Sequence, residues 1–312
     1  MNQELNFLYC FDRNYNMQAF SSIISILEKI KEKINIHIIH SEENIDNVLP
    51  QVIRNHKNLN NVFTYKFIDY DHYFPNIEGV HISLATYFRL FIANYIPKEI
   101  KNLVFLDADI ICTQDPISEL RKEIDKLNKS EYIISARTEH PKERVVKNDI
   151  FKRLEMNGPY FNAGVMLINF ERWQKEDLHK KLISELEVLK DKIYQWDQDV
   201  INSYFDGSYL ELSEKFNFPS YYYKKKNNFL DIIFIHYLGS KKPWLSSGVF
   251  QNESIYYHQN YKKIAEKNYH IIHKWKKTSV IDLLKAILSL RILRLQNPFI
   301  YIKEFLQSLN KH

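Results

Sequence analysis

The chain contains few residues of the kinds that mark secreted or disordered proteins. Cysteine occurs only at Cys10 and Cys112, each beside an apolar run typical of a strand, so we expect reduced, structural thiols rather than a disulfide framework. Only 6 glycines and 9 prolines occur in 312 residues, which argues against long linkers and disordered tracts. A hydrophobic content of 45% supplies a core for one large α/β domain with at most a small appendage.

Segments that insert proteins into membranes are also missing. Residues 1–4 have no basic region followed by an apolar run, so we predict no signal peptide. No stretch offers 18 uncharged apolar residues, so we predict no membrane span. With the reduced cysteines, these absences predict a cytoplasmic protein that is either free or attached to the inner face of the cytoplasmic membrane.

Positive charge is concentrated at the C-terminus. The net charge is +5, but residues from Lys274 onward contain eight Lys or Arg and two Asp or Glu, which leaves 35 basic and 36 acidic residues elsewhere. A general nucleic-acid binder would carry its basic face on the folded body, so we predict no nucleic-acid partner. A basic segment rich in Leu and Ile instead suits an anionic membrane surface.

The one domain boundary that we predict lies at this change of character, between residues 1–273 and residues 274–312. The apolar residues of the tail repeat at helical spacing, with Asp282, Lys285 and Ser289 on the other side. We predict a basic amphipathic tail that attaches to a membrane, and the alternative that this helix packs on the body or on a second subunit stays open.

Strand-like and helix-like segments alternate along the body, which is typical of an α/β fold with a mainly parallel sheet. Strands are predicted at 6–11, 34–40, 62–68, 103–111, 132–136, 160–169 and 232–235. Helices are predicted at 19–30, 45–54, 83–96, 117–127, 173–192 and 196–202. The polar segment 137–157 is either a lid or a solvated insertion.

The most informative stretch is 103–111, where an apolar strand runs into Asp107-Ala108-Asp109. Two carboxylates at the end of a buried strand repel each other unless a cation lies between them. Ligands collect at the carboxyl ends of strands in open α/β sheets, so we expect a divalent cation bound to phosphates. The alternative is that Asp107 and Asp109 merely cap an ordinary loop.

Other polar residues follow predicted strands in the same way. His236 ends the strand at 232–235, and two carboxylates with one imidazole form a mixed O/N site that suits Mn²⁺, and Mg²⁺ less well. Lys242 lies only a few residues after His236, close enough to face the phosphates bound to that cation. Asp12 and Asn14 follow the first strand, where a nucleoside would lie. Arg89 is either a surface arginine or a donor to phosphate or carboxylate.

Four segments together resemble the family 8 retaining glycosyltransferases, and in particular the bacterial lipooligosaccharide and lipopolysaccharide galactosyltransferases and glucosyltransferases. They occur in the expected order and are 105–109 (FLDAD), 161–165 (FNAGV), 196–199 (WDQD) and 236–244 (HYLGSKKPW). The resemblance implies a GT-A type, Rossmann-like nucleotide-sugar domain with a mixed, mainly parallel sheet. It also implies a Mn²⁺-dependent transfer of galactose or glucose from a UDP-sugar to a saccharide acceptor, such as a membrane-borne glycolipid.

The resemblance implies a role for each matching residue. Asp107, Asp109 and His236 would hold the metal that bridges the diphosphate. The residues implied to bind the UDP-sugar are Cys10, Asp12, Asn14 and Tyr15 around the nucleoside, Arg89, Asn162, Ala163 and Asp197 around the sugar, Gly239 and Lys242 at the diphosphate, and Ala108 between the two aspartates. The implied catalytic residues are Gln198, below the anomeric carbon, and Asp197, while His81 would contact the acceptor. Arg13 stands where relatives often have an acid.

An amide oxygen is a poor nucleophile, so we expect front-face attack by the acceptor hydroxyl rather than a covalent intermediate on Gln198. Two other functions remain alternatives at this point. Asp107-Ala108-Asp109-Ile110-Ile111 also resembles the nucleophile motif of haloacid-dehalogenase phosphatases, although it lies a third of the way along the chain and no later acidic pair follows. A non-catalytic sugar-binding module is the third candidate.

Overall fold

A computed structural model describes residues 4–72, 74–75, 83–141, 149–225 and 231–310. The strands of the described residues are β1 (Asn6–Phe11), β2 (Ile34–His40), β3 (Leu59–Lys66), β4 (Asn102–Leu106), β5 (Ile110–Cys112), β6 (Ile134–His140), β7 (Tyr160–Asn169), β8 (Leu210–Glu211), β9 (Phe218–Pro219) and β10 (Phe234–His236).

The α-helices of the same residues are α1 (Asn16–Leu27), α2 (Ile45–Val48), α3 (Gln51–Arg54), α4 (Ile92–Tyr95), α5 (Ile117–Lys129), α6 (Ile150–Arg153), α7 (Phe170–Lys175), α8 (Leu178–Leu189), α9 (Trp196–Phe205), α10 (Ser254–Ile264), α11 (Lys276–Leu288) and α12 (Pro298–Leu309). Short 3-10 helices connect them at Arg13–Tyr15, Leu84–Phe91, Lys190–Lys192, Glu214–Phe216, Ser220–Lys225 and Arg291–Arg294.

A seven-stranded mixed sheet forms the centre of the body, in the order β3-β2-β1-β4-β7-β6-β8. The first four strands are parallel, β7 is antiparallel to both β4 and β6, and β8 is parallel to β6. Every residue of β2, β4 and β7 is buried, because helices cover both faces of the sheet. The prediction of an α/β fold with a mixed, mainly parallel sheet is confirmed.

The predicted single strand over 103–111 is wrong, and the difference creates the site. β4 ends at Leu106, and the chain then turns, with Ile110 N–H donating to the carbonyl of Asp107 at 3.3 Å. β5 follows in a second, three-stranded sheet of order β5-β10-β9, where Ile110 pairs with His236. The motif is therefore a junction between two sheets, and this junction brings the end of β10 to the end of β4.

Several predicted boundaries also differ. The helix predicted at 45–54 is two short helices separated at Pro50, which lacks the backbone N–H needed to continue a helix. The helix predicted at 83–96 begins as the 3-10 helix Leu84–Phe91. The segment predicted to be irregular at 137–157 contains the end of β6 and helix α6, while 142–148 lie outside the described residues.

The C-terminal tail folds back onto the body. Buried residues of the tail share a small core with the last part of the body, namely Leu283, Ala286, Ile292, Tyr301 and Phe305 with Val249, Phe250 and Tyr269. Glu304 anchors this contact, because its carboxylate accepts from the backbone N–H groups of Asn268 and Tyr269 at 2.9 and 2.8 Å. Among the described helices, we find none with the length and apolar character that a membrane crossing requires.

Candidate active site

The three predicted metal ligands converge at the junction of the two sheets. Asp107, Asp109 and His236 each offer one ligand atom, and these atoms lie within 4.8 Å of one another. The junction is held by two backbone bonds, from Asp107 N–H to the carbonyl of Gly164 at 2.8 Å and from Tyr237 N–H to the carbonyl of Asp109 at 3.1 Å. The fold therefore brings together residues that are more than 120 positions apart in the chain.

The hydrogen-bond partner of His236 favours the tautomer that can bind a metal through Nε2. Its Nδ1 lies 2.9 Å from the Oδ1 of Asn217, which can only accept, so Nδ1 carries the proton. Nε2 then presents its lone pair towards Asp109 Oδ1, 3.2 Å away. Two acceptor atoms at that distance repel each other unless a proton or a cation lies between them. The donor set of two carboxylates and one imidazole fits Mn²⁺, and Mg²⁺ less well.

Asp109 is ionised because Lys242 lies beside it. Burial alone would raise the pKa of Asp109, but Lys242, with Nζ 2.5 Å from Oδ2, lowers it, and the resulting pKa lies well below its usual range. For Asp107, burial dominates, so its pKa is raised despite the attraction of Arg89. The two carboxylates therefore differ in proton affinity, and a cation between them would favour ionisation of both.

Close packing around the carboxylates depends on Gly164. β7 bulges here relative to β6, since Ala136 pairs with Met166 and the next residue, Arg137, pairs with Asn162. A Cβ atom at Gly164 would collide with the His236 ring and lie 2.9 Å from Asp107 Oδ2. Only glycine fits at this point between the two predicted ligands.

Arg89 is buried rather than snorkelling on the surface. Its Nη2 donates to Asp107 at 3.1 Å, its Nη1 donates to the carbonyl of Ala163 at 2.6 Å, and its guanidinium lies 4.3 Å from the centre of the Phe105 ring. Its Nε lies 2.5 Å from Asp197 Oδ2, an ion pair without hydrogen-bond alignment. Arg89 therefore links Asp107 to the start of α9.

Asp197 and Gln198 lie at the first turn of α9, directly after Trp196, whose φ of +49° is unusual for a residue with a side chain. Burial raises the pKa of Asp197 to about 7, although Arg89 opposes this shift. The amide oxygen of Gln198 accepts from Ala163 N–H at 2.9 Å, and its nitrogen donates to Tyr160 Oη at 3.2 Å. These two bonds to residues of β7 fix the orientation of the Gln198 amide.

The residues predicted to bind the nucleoside surround the end of β1. Asp12 accepts from Asn14 N–H at 2.9 Å and from Ser83 Oγ at 2.5 Å. Burial raises the pKa of Tyr15, and the nearby carboxylates of Asp109 and Asp12 add to that shift. Burial also raises the pKa of the Cys10 thiol, which lies near Arg89, so this thiol is protonated at neutral pH.

The remaining predicted residues have different outcomes. Ala108 is buried between the two aspartates, and Gly239 adopts a φ of +78° in the turn after β10, where glycine is favoured. Asn162 lies on β7, its carbonyl side-chain oxygen accepting from Gly164 N–H at 3.0 Å. His81 lies outside the described residues, so its predicted acceptor contact has no structural description.

Residues that the sequence analysis missed complete the site. Asn217 connects His236 to Asn162, since its Nδ2 donates to Asn162 Oδ1 at 2.9 Å. Glu139, on β6, accepts from Asn162 Nδ2 at 3.1 Å and lies 3.4 Å from Gln198 Nε2. Neither residue belongs to a recognisable short motif. The sequence indicates Glu139 only as one carboxylate within the polar segment 137–157, which is predicted to be a lid or a solvated insertion.

Glu139 also forms part of a wide cleft that opens beside Gln198. The cleft has a volume of about 610 Å³ and is bounded by residues of β6, β9 and the 3-10 helix after β9. Its lining residues include Arg137, Glu139, Asn162, Tyr221 and Tyr222. The Tyr221 and Tyr222 rings meet edge to face with their centres 4.4 Å apart, and both are exposed. The cleft combines charged side chains with exposed aromatic rings.

Comparison with known proteins places these features in a wider context. Residues 6–248 match the sequence profile described as Glycosyl transferase family 8. A lipopolysaccharide 1,2-glucosyltransferase of Escherichia coli is 29% identical over 298 residues, which cover 86% of this chain and 84% of that protein. A lipopolysaccharide 1,3-galactosyltransferase of Salmonella typhimurium is 36% identical over 181 residues, 54% of this chain and 51% of that protein.

The fold has counterparts among solved structures. The galactosyltransferase LgtC, solved in complex with donor and acceptor sugar analogs, superposes with a TM-score of 0.69 at 20% identity. The superposition covers 88% of this chain and all of that one. At this level of identity the similarity concerns the arrangement of helices and strands.

Proposed function

Since the chain belongs to glycosyl transferase family 8, we propose that it transfers a hexose, galactose or glucose, from a UDP-sugar to a saccharide acceptor with retention of anomeric configuration. The observation that carries this proposal is the convergence of Asp107, Asp109 and His236 beside Lys242 at one end of the sheet. The family match spans all four motif segments. It therefore favours hexose transfer over a phosphatase or a non-catalytic sugar-binding module.

The metal site would be formed by Asp107, Asp109 and His236, with Mn²⁺ as the preferred ion. When bound, the cation supplies electrostatic stabilisation of the charge that develops on the diphosphate leaving group. Asn217 keeps the Nε2 lone pair of His236 directed at the site by accepting the Nδ1 proton. Lys242 now neutralises Asp109, so we propose that it turns to the diphosphate when the donor binds.

The donor sugar would lie against β7 and α9, between Arg89, Asn162, Ala163 and Asp197. Cys10, Asp12, Asn14 and Tyr15 would line the nucleoside, and Gly239 would allow the loop before Lys242 to turn towards the diphosphate. Arg13 follows Asp12 directly, so the base or the ribose meets a cation where relatives often present an acid.

Transfer would proceed by front-face attack. The bond from the anomeric carbon to the phosphate oxygen breaks, the bond to the acceptor oxygen forms, and the acceptor hydroxyl gives its proton to the departing phosphate. The structure offers few free nucleophiles for a covalent alternative. Gln198 Oε1 accepts from Ala163, Asp197 pairs with Arg89, and Asp199 accepts from Arg153, Tyr160 and two backbone N–H groups. A glycosyl adduct trapped on Gln198 or Asp197 would contradict this mechanism.

The cleft beside Gln198 would hold the acceptor. Glu139 lies at its floor within hydrogen-bonding reach of donor-site residues Asn162 and Gln198, so a hydroxyl bound there is close to the anomeric carbon. Arg137 and Glu139 are suited to hydroxyl groups, while Tyr221 and Tyr222 offer rings to the apolar face of a sugar. His81 remains a candidate for the same role.

We propose that the acceptor is a membrane-borne glycolipid such as a lipopolysaccharide core, and that residues 274–312 attach the enzyme to the inner face of the cytoplasmic membrane. Two observations support attachment. The tail exposes large apolar side chains, among them Trp275 (68%), Leu288 (85%) and Phe299 (86%). It also carries Lys274, Lys276, Lys277, Arg291 and Arg294.

The proposed function is tested by a panel of nucleotide sugars with Mn²⁺, scored by UDP release in the absence of acceptor. We expect slow hydrolysis of UDP-galactose or UDP-glucose and none of GDP- or ADP-hexoses. Addition of a saccharide acceptor should then accelerate UDP release. If no UDP-hexose is hydrolysed or transferred, the proposed function is wrong.

Replacing Lys242 by Ala should lower kcat by about 100-fold and raise the donor KM by less than about threefold. The charge of Lys242 matters most when the phosphate leaves, and the loss of one preorganised donor commonly costs 10²–10³-fold in turnover. Steady-state kinetics of donor hydrolysis measures both constants. Lys241→Ala is the matched control, since Lys241 is the neighbouring exposed lysine. An unchanged kcat with a raised KM would show that Lys242 only binds the donor.

Replacing Glu139 by Gln should raise the acceptor KM by about tenfold while donor hydrolysis changes little. The amide retains the shape of the side chain but loses the charge that strengthens a hydrogen bond to a hydroxyl group. The ratio of transfer to hydrolysis isolates the acceptor side of the reaction. Glu131→Gln, at an exposed position, is the control. Equal loss of hydrolysis and transfer would instead place Glu139 in the donor site.

A further inference from the structure

A second cavity, separate from the donor site and the acceptor cleft, lies between α10 and the connection of the two tail helices. Its volume is about 270 Å³, smaller than the roughly 300–1,000 Å³ of pockets that enclose drug-sized ligands. One side is formed by Ile255, His258, Gln259 and Lys262, which follow the helical spacing i, i+3, i+4 and i+7 on α10. The other side is formed by residues 294–297 of the tail.

The lining of this cavity is positively charged. Lys262 and Arg294 are its lining residues with a permanently charged side chain, and the ion pairs of the described residues include neither of them. Burial lowers the pKa of His258 to about 3, so this imidazole is neutral at physiological pH. The lining contains no carboxylate. The two cations therefore favour an anionic group.

The same cavity is rich in side-chain amides, which bind hydroxyl groups as donors and as acceptors. The six amides of its lining are Gln251, Asn252, Gln259, Asn268, Gln296 and Asn297. Asn297 precedes α12 yet makes no side-chain cap hydrogen bond, although Asn at this position commonly does. Phe250 and Tyr269 add aromatic surface at the back of the cavity. Cations, amides and aromatic rings together suit a charged, polyhydroxylated ligand.

The cavity adjoins the loop that carries Lys242. His258, at its wall, donates from Nε2 to the carbonyl of Pro243 at 3.0 Å, directly after Lys242. Gly248 allows the loop to close, because a Cβ atom there would collide with the carbonyl of Lys242. Arg294, on the opposite wall, belongs to the tail that we propose to attach to a membrane. A ligand in the cavity would thus lie between the active-site loop and the tail.

We propose that this cavity is a secondary binding site for a phosphorylated saccharide, which would hold a charged sugar of the acceptor glycolipid away from the reacting hydroxyl. Lys262 and Arg294 would bind the phosphate, and the amides would bind the ring hydroxyls. The proposal deepens the proposed function, since it rests on a saccharide acceptor. The cavity has room for one sugar unit with one charged substituent.

The test measures binding of glucose 6-phosphate by calorimetry to the full-length protein, with UDP and Mn²⁺ present at saturation so that the donor site is occupied. Glucose, inorganic phosphate and glycerol 3-phosphate are the comparison ligands, the last representing a phospholipid headgroup. We expect glucose 6-phosphate to bind at least tenfold more tightly than each of them. Lys262→Ala combined with Arg294→Ala should weaken its binding at least tenfold, whereas the exposed Lys285→Ala should leave it unchanged.

Several results would overturn the proposal. If glucose 6-phosphate does not bind, or binds the double variant as tightly as the wild type, the cavity is not its binding site. Equal affinity for inorganic phosphate or glycerol 3-phosphate would show a simple anion site or a headgroup site rather than a saccharide site. Hydrolysis of the UDP-hexose is measured separately with the same samples. Absence of hydrolysis counts against the proposed function, whereas the affinity for glucose 6-phosphate tests only the cavity.

Discussion

Replacing Asp109 by Asn should lower the turnover of a UDP-hexose by at least about 10³-fold at saturating Mn²⁺. A metal that stabilises leaving-group charge contributes several kcal/mol to the transition state, and each 1.4 kcal/mol corresponds to a factor of ten. The pKa of Asp109 is held well below its usual range, and its Oδ1 lies 3.2 Å from Nε2 of His236. Its neutral analogue removes a ligand and also leaves Lys242 without its partner.

Asp107→Asn should also abolish activity, but with a second consequence. Arg89 bridges Asp107 and Asp197, so the neutral side chain also weakens the link to the start of α9. Mn²⁺ affinity, measured by electron paramagnetic resonance, and thermal unfolding separate loss of the ligand from loss of structure. The exposed Asp125→Asn is the control. Full turnover in EDTA by a metal-stripped protein would refute the metal site.

The convergence of the three predicted metal ligands could be anticipated from the sequence, because simple physical rules apply to these residues. Asp107 and Asp109 follow the apolar strand β4 and His236 ends the apolar strand β10, so the sequence places all three at strand ends, where ligands collect. The sequence does not show that these two strands belong to different sheets. The apolar runs of β1, β2, β4 and β7 are long enough to identify as strands without a structure. The family resemblance then supplied roles that spacing alone does not, such as those of Gln198 and Gly239.

The supporting residues could not be predicted, because their positions depend on tertiary packing. Asn217 reaches His236 only because β9 pairs with β10 in a sheet of very short strands. Glu139 reaches Gln198 because β6 and β7 shift register near Asn162. Neither a two-residue strand nor a bulge leaves a periodic pattern in the sequence. The same limit explains why the break after Leu106 was missed.

The tail shows a different limit of periodicity. The sequence predicts one apolar face, whereas the structure divides these residues between two. Ser279, Leu283 and Ala286 of α11 pack inward, while Ile281, Leu284 and Leu288 form an exposed stripe. The tail therefore packs on the body, as one alternative from the sequence analysis predicts, and it also exposes apolar residues beside its cations. We propose that this exposed stripe meets a membrane.

The double variant Leu288→Ser and Phe299→Ser should weaken association with phosphatidylglycerol-containing vesicles by about 100-fold or more. Each large apolar side chain contributes roughly 1.5–3 kcal/mol when it leaves water, so two exposed ones account for a large share of the binding free energy. Activity on a soluble acceptor should not change, because both side chains are more than 80% exposed and contribute little to the core. Vesicle sedimentation and UDP release measure the two properties.

Substitution is a sharper test than deletion of the tail, since removal of residues 274–312 would uncover Val249, Phe250 and Tyr269. Val188→Ser is the control, because Val188 is an apolar side chain on α8, outside the tail, that is 70% exposed. This variant should bind the vesicles as the wild type does. Salt should weaken wild-type binding, because the lysines and arginines of the tail attract anionic lipid through screened charges. Membrane attachment through the tail is refuted if the wild-type protein does not bind these vesicles, or if the double variant binds them as tightly as the wild type. The exposed stripe would then be a surface for protein contact.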